Sequence, residues 1–213
     1  NKDWPEPQKG HAAMITRMDR DIGTIFKKLK ELGIDENTLV LFSSDNGPHK
    51  EGMGDPLFFN SAGKVRGMKR DLYEGGIRVP MIARWPGKIK PGTTSALPSA
   101  FWDFLPTACD VAGIENPQNI DGISYLPAML GKTNKKHDVL YWEFPSQGGK
   151  QALRWGDWKA VRLHLGKRPN GPLELYNLKT DPREKNNVAA LHPDIVKKME
   201  TMMREEQSNN VAG

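Results

Sequence analysis

Asp45 and Asn46, in the run Ser43-Ser44-Asp45-Asn46-Gly47-Pro48-His49, set a carboxylate and an amide oxygen side by side. Lys69 follows in Gly67-Met68-Lys69-Arg70-Asp71-Leu72-Tyr73-Glu74-Gly75-Gly76-Ile77-Arg78-Val79-Pro80. Adjacent carboxylate and amide oxygens suit a hard cation such as Ca²⁺, which takes about six to eight oxygen ligands, so this pair would be only part of a site. Gly47-Pro48 turns the chain so that both side chains can face one point. The competing reading is an Asx turn, in which the same side chains bond only local backbone. Lys69 taken alone is a surface ammonium. Two adjacent glycines before a strand are costly unless the backbone takes positive φ or approaches something closely. A tight loop there would hold Lys69 rigidly, where a fixed charge can stabilise the oxygens of a tetrahedral oxyanion. Arg66, Arg70 and Arg78 add charge, with Asp71 and Glu74 as ready ion-pair partners. His49 reads either as an acid/base or anion contact or as a loop histidine without a task. Lys50, Asn60 and Lys64 are the other local candidates for touching a substrate, because they lie on loops. His11, His137, His164 and His192 have no spaced partners and read as ordinary.

Positioning these residues falls to a recognisable series of elements. Met14, Ile15, Met18, Ile22, Ile25, Phe26, Leu29 and Leu32 recur at helical spacing between charged residues, and Gly33 ends the helix. Thr38-Leu39-Val40-Leu41-Phe42 is apolar on both faces, which fits a buried strand of a parallel sheet. Asp45 and Asn46 would then sit beyond its carboxyl end, where open α/β sheets bind ligands. A second strand is expected over Arg78 to Trp85, with Pro80 at an edge or bulge. Asp103 is a plausible N-cap for a helix over Phe104 to Ala112 stopped by Gly113. From about Asn116 the texture changes. Asp138–Phe144, Gln151–Leu165 with a Gly156-Asp157 turn, and Leu173–Leu178 read as a small antiparallel sheet. Helical periodicity returns after Pro193, and Ser208–Gly213 reads as a disorder-like end. The expected division is an α/β domain over 1–115 and a smaller α+β subdomain over 116–213.

The chain has 213 residues, a net charge of +5 and a pI near 9.2, with a single cysteine, Cys109. No internal disulfide or Cys/His metal cluster can form from one cysteine. Basic residues are scattered among acids, so the charge reads as a mixed solvated surface and nucleic-acid binding gains little support. No uninterrupted apolar stretch approaches the roughly 20 residues of a membrane span.

In order along the chain, Ser44-Asp45-Asn46-Gly47, the Gly67–Pro80 stretch, Asp103-Phe104-Leu105-Pro106-Thr107 and Leu173-Glu174-Leu175-Tyr176-Asn177-Leu178-Lys179-Thr180-Asp181-Pro182-Arg183-Glu184 resemble the sulfatase family. The resemblance implies an alkaline-phosphatase-like α/β sandwich, of which this would be the C-terminal part, with a small α+β subdomain of antiparallel sheet and C-terminal helix. It implies Asp45 and Asn46 as part of a Ca²⁺ site and Lys69 as the sulfate contact, while His49, Lys50 and Asn60 stand as the substrate-binding candidates on nearby loops. Family members cleave sulfate esters with a formylglycine made from a Cys/Ser-x-Pro-x-Arg motif and hydrated to a gem-diol that attacks sulfur. That motif does not occur here: Cys109 lies in Thr107-Ala108-Cys109-Asp110-Val111, and Ala96-Leu97-Pro98-Ser99-Ala100 has alanine in place of both nucleophile and arginine. The formylglycine and the remaining metal ligands are therefore expected before Asn1, and the chain alone is expected to be inactive. The expected activity is sulfuric ester hydrolysis on a sulfated small molecule or carbohydrate, in a periplasmic or secreted setting. Two other readings are a phosphodiesterase or phosphonate hydrolase of the same superfamily and a non-catalytic domain that binds sulfated glycans or protein. A fragment of a sheet would also expose apolar edges and self-associate.

Overall fold

The structure is a computed structural model that describes residues 3–211, with side chains through Gln207. Its contacts gather residues up to Ser43 with Met81–His137 in one compact unit, and Ser44–Pro80 with Asp138 onward in another. This grouping runs across the sequence boundary drawn at residue 115.

In the first unit, α1 (Glu6–Glu31) begins with Pro7 in its first turn, where a missing N–H costs nothing. It ends as its glycine requires: Gly33 takes φ +69, and Ile34 N–H reaches back to Leu29 O at 3.1 Å. Gln8 is the one buried residue of α1, and Met14, Ile15, Met18 and Ile25 lie exposed along its apolar stripe, Met14 at 74%. β1 (Val40–Ser43) pairs antiparallel with β2 (Met81–Arg84), Val40 opposite Arg84 and Ser43 opposite Met81. The expectation of a buried strand in a parallel sheet is corrected here: no parallel pairing occurs among the described residues, and Phe42, Met81 and Ile82 are exposed. Apolarity on both faces records what a strand is suited to touch, not the direction of its neighbour. β2 is shorter than the expected Arg78–Trp85, with Pro80 just ahead of it. Arg84 grips Asp35 with two bonds, at 2.7 and 2.8 Å, and stacks over Phe26 at 4.7 Å, tying β2 to the helix-side of the unit.

α3 (Phe104–Ala112) stops at Gly113, φ +68, as read from sequence, and α4 (Leu126–Met129) follows as a single turn. Asp103 stands at the N-cap position, but its carboxylate does not cap α3. It accepts Ala100 N–H and Ile123 N–H, each at 2.8 Å, and lies 2.7 Å from His137 Nε2. His137, read as ordinary, is thus the partner of a carboxylate that is 1% exposed.

The second unit is built on a four-stranded antiparallel sheet, β3 (Leu140–Phe144), β4 (Lys150–Trp155), β5 (Trp158–Leu163) and β6 (Glu174–Asn177), in sequence order. β4 and β5 form the expected hairpin, closed by Gly156 at φ +58 with Trp155 opposite Trp158. Side chains alternate faces with period two. Leu153, Ala160 and Leu175 go to one face, under Met199 and Met203 of α5 (Pro193–Val211). Ala152, Val161 and Tyr176 go to the other, under Leu72 and Tyr73. Of the Ser208–Gly213 stretch read as disorder-like, Ser208–Val211 continue α5, since no proline or glycine interrupts the helix before Gly213; Ala212 and Gly213 lie outside the described residues. Among the described residues no helix is long and apolar enough to cross a membrane.

Candidate functional site

The Leu72-Tyr73 packing just described places the loop before it, and so Lys69, against the sheet of the second unit. From there the backbone is stitched to the Asp45 turn. Gly47 N–H donates to Gly76 O at 2.9 Å, and Lys69 N–H to Pro48 O at 2.8 Å. Gly75 N–H bonds Arg66 O at 2.6 Å. Glycine is obligatory where these strands of backbone meet. A Cβ on Gly47 would stand 1.8 Å from Gly75 O, one on Gly75 2.3 Å from Gly67 O, and one on Gly76 2.1 Å from Asp71 O. Of the two roles expected of the double glycine, positive φ or close approach, it serves close approach, within the single helical turn α2 (Glu74–Ile77).

Asp45 and Asn46 keep their side chains free. Ser44 Oγ donates to Asn46 O at 2.8 Å, while neither the Asp45 carboxylate nor the Asn46 amide makes a hydrogen bond or ion pair among the described residues. The Asx-turn reading therefore does not hold, and the two oxygens are available to a cation, as hard donors suited to Ca²⁺. No third carboxylate, histidine or cysteine joins them in a metal-binding group among the described residues.

Lys69 is held in a strained, well-fastened loop. Arg70 adopts φ +76, a left-handed conformation uncommon for any residue but glycine. Lys150 Nζ donates to Arg70 O at 2.7 Å and lies 3.2 Å from Asp71 Oδ1, while Asp71 Oδ2 accepts Met68 N–H at 3.1 Å. The Lys69 ammonium is about a third exposed and lies 3.5 Å from Glu51 Oε2; Arg70 pairs with the other oxygen of Glu51. His49 Nδ1 accepts Glu51 N–H at 3.0 Å. Glu51 is thus the shared counter-charge of the cluster, and Arg70 followed by Lys69 holds its carboxyl below the usual range. Sequence reasoning overlooked Glu51, whose place 18 residues before Lys69 carries no periodic signal. Lys50 is exposed beside it, and Asn60 lines a cleft with Lys64 and Arg66 that neither His49 nor Lys50 lines.

Beneath the glycines lies a buried ionic group that sequence reasoning also missed. Glu74, 3% exposed, meets the fully buried Lys159 at 2.9 Å, and Lys159 meets the fully buried Glu184 at 3.1 Å. Glu184 Oε2 accepts Glu74 N–H at 2.7 Å, and Arg78 approaches Glu74 at 3.7 Å. Burial pushes the Glu184 carboxyl above its ordinary value, against the pull of Lys159. A sequence signal for Lys159 existed: strand alternation sets it on the face of Val161 and Tyr176, where a lysine needs a partner. Arg66 stacks over Tyr73 at 3.8 Å and donates to Tyr176 Oη at 3.1 Å and Glu184 O at 2.9 Å.

The geometry is that of a rigid turn-and-loop frame presenting two hard oxygen donors and an ammonium. The family model described as Sulfatase matches residues 8–114, and that described as N-sulphoglucosamine sulphohydrolase, C-terminal, matches residues 67–209. The chain is 31% identical over 212 residues to N-acetylgalactosamine-6-O-sulfatase of Bacteroides thetaiotaomicron, covering 89% of this chain and 40% of that protein. It is 32% identical over 213 residues to human arylsulfatase A, covering 88% and 41%. The solved structure of Ps i-CgsB superposes with a TM-score of 0.84 at 27% identity, over 98% of this chain and 45% of that one. A second structure of Ps i-CgsB is a complex with k-i-k-neocarrahexaose. These likenesses carry the alkaline-phosphatase-like α/β fold, and the chain spans about a quarter to two fifths of the length of the curated relatives it matches.

Proposed function

The chain belongs to the sulfatase family, and on that premise we propose that it supplies part of the metal and sulfate site of a sulfuric ester hydrolase. The observation that carries this reading is the stitched frame, in which Gly47 N–H to Gly76 O and Lys69 N–H to Pro48 O lock the Asp45-Asn46 turn to the Lys69 loop. Asp45 and Asn46 would give a Ca²⁺ ion two of its oxygen ligands. Bound there, the ion would supply a fixed positive charge to the sulfate oxygens. Lys69 contacts the sulfate and steadies negative charge as the leaving group departs, an effect that rests on its being held before the substrate arrives. His49, Lys50 and Asn60 are the proposed contacts to the rest of the substrate. With no Cys/Ser-x-Pro-x-Arg motif in these 213 residues, the formylglycine and further metal ligands come from elsewhere in a longer chain, and this chain alone is inactive. A sulfated carbohydrate is the proposed substrate class, supported by the relatives' names, with a periplasmic or secreted setting.

The test is turnover of 4-nitrophenyl sulfate by a longer chain that includes the motif, with and without Lys69→Ala. Loss of one preorganised donor to a developing charge costs about 10²–10³-fold in kcat, and that loss is expected with an unchanged unfolding midpoint. Robust turnover by the 213-residue chain itself, or a preference for the matched phosphate ester, would overturn the proposal.

A further inference from the structure

Outside the Asp45–Lys69 frame, an open cleft of about 480 Å³ runs along Asn60, Lys64, Val65, Arg66, Arg183 and Lys185. That volume lies within the roughly 300–1,000 Å³ of small-molecule sites. Four of its lining residues are cations and none is an acid. The sequence hides this, because Asp181-Pro182-Arg183-Glu184-Lys185 alternates signs and reads as a neutral loop. The fold separates the signs. Glu184 takes φ +50, in the left-handed region, and its side chain turns inward to the fully buried Lys159. Arg183 and Lys185, on either side of it, are left exposed. Asp181 is directed to its own loop, where one carboxylate oxygen accepts Lys185 N–H and Asn186 N–H, each at 2.8 Å.

The cations differ in how firmly they are placed. Arg66 is fixed by its stacking on Tyr73 and its bonds to Tyr176 and Glu184 O. The side chains of Lys64, Arg183 and Lys185 make no ion pair or hydrogen bond among the described residues. Unneutralised like charges on one concave wall repel one another and raise the local concentration of anions. No aromatic ring lines the wall, so it offers no platform on which a nucleobase would stack. Arg66 also joins the cleft to the frame: its carbonyl accepts Gly75 N–H, three residues before Lys69 in sequence.

We propose that this cleft is a second anion subsite, binding a sulfate or carboxylate group on a saccharide unit that neighbours the one presented to Lys69. The substrate class it selects is a multiply charged acidic oligosaccharide. The inference rests on the sulfatase reading for the word substrate, while the cleft's affinity for such an oligosaccharide stands by itself.

The decisive measurement is calorimetric titration of the protein with a heparin-derived hexasaccharide, comparing wild type, K64A/R183A/K185A and a control variant, K27A/K28A/K30A, that removes the same charge from α1. All six positions are solvent-facing or partly so, and unfolding midpoints confirm that each variant is folded. Removing three exposed ion-pairing partners is expected to weaken binding by about tenfold or more. The control is expected to change it by less than about twofold. The desulfated hexasaccharide, which keeps its carboxylates but loses most of its charge, should bind wild type and the control variant more weakly than the sulfated one does. Equal losses in the two variants, or equal affinity for the desulfated probe, would overturn the subsite. Turnover of 4-nitrophenyl sulfate reports on the Lys69 frame alone, so failure of the sulfatase reading and failure of the subsite give different results.

Discussion

Lys159→Met removes the one positive charge held between Glu74 and Glu184. In the native unit its ammonium lies 2.9 Å from one carboxylate and 3.1 Å from the other, with no exposure to water. Without it, two carboxylates face each other in a dry interior, joined only by the Glu74 N–H bond to Glu184. Breaking a buried pair by removing one partner costs about 3–5 kcal/mol. At a urea dependence of about 2 kcal/mol per molar, the unfolding midpoint should fall by roughly 1.5–2.5 M. The pH dependence has a definite sign. Burial raises the Glu184 carboxyl, with Lys159 opposing, so the native state holds that proton more tightly than the unfolded chain does. Its stabilising contribution is full below the unfolded value and is lost as pH climbs through the folded one. Lys159→Met removes the opposing pull, so the deficit against wild type should be larger near pH 8 than near pH 5. Lys159→Met/Glu184→Gln should recover part of the loss, because the amide oxygen still accepts Glu74 N–H and no second charge remains. Circular dichroism during urea titration of the three proteins reads all of this. A midpoint shift under about 0.3 M, or a deficit that is the same at both pH values, would refute the assignment of this group as a buried ionic support.

Gly47→Ala should cost at least about 1–3 kcal/mol and disturb amide resonances of both Gly47 and Gly76, since its Cβ would stand 1.8 Å from Gly75 O; normal spectra and stability would refute the close approach. All four tyrosines are held above the ordinary phenol value, chiefly by burial: Tyr176 is pushed up to about 12, and Tyr73, Tyr125 and Tyr141 are also raised. Alkaline titration should therefore show no phenolate absorbance until unfolding, with stability falling as pH rises past about 10; a reversible step near that pH in folded protein would contradict it. Met14, Ile25, Ile82 and Phe101 are more than half exposed in the first unit, which points to self-association. Light scattering should show mass rising with concentration, and a monodisperse monomer throughout would refute this.

What the sequence revealed depended on whether the signal was local. Helix α1 with its Gly33 stop, the Gly156 hairpin and the helix after Pro193 are written in periodicity and turn chemistry, which neighbours in sequence decide. The direction of β1 was not, because pairing sense is set by the strand that lies alongside. Lys69 and the Asp45-Asn46 turn were visible as residue types, but their fastening to one another was not. That fastening depends on Gly47, Gly75 and Gly76 meeting in space. Asp103 read as a helix N-cap, and Lys159 and Glu184 drew no reading as buried groups, because most charged residues are solvated and only partners far along the chain make their burial tolerable.

The span of these contacts bears on how the protein comes into being. Glu74 waits for Glu184, 110 residues later, and Arg66 waits for a carbonyl 118 residues later. At a synthesis rate of roughly 5–20 residues per second, that interval is on the order of 5–20 s. For much of it the nascent Lys69 loop lacks the sheet it rests on and Glu74 lacks Lys159 and Glu184, and any closure must bear the entropy of a long loop. The loop proposed to hold the sulfate is thus translated well before the residues that set it. Slowing translation after the Gly75-Gly76 codons should lengthen the time during which a protease or chaperone finds that segment open.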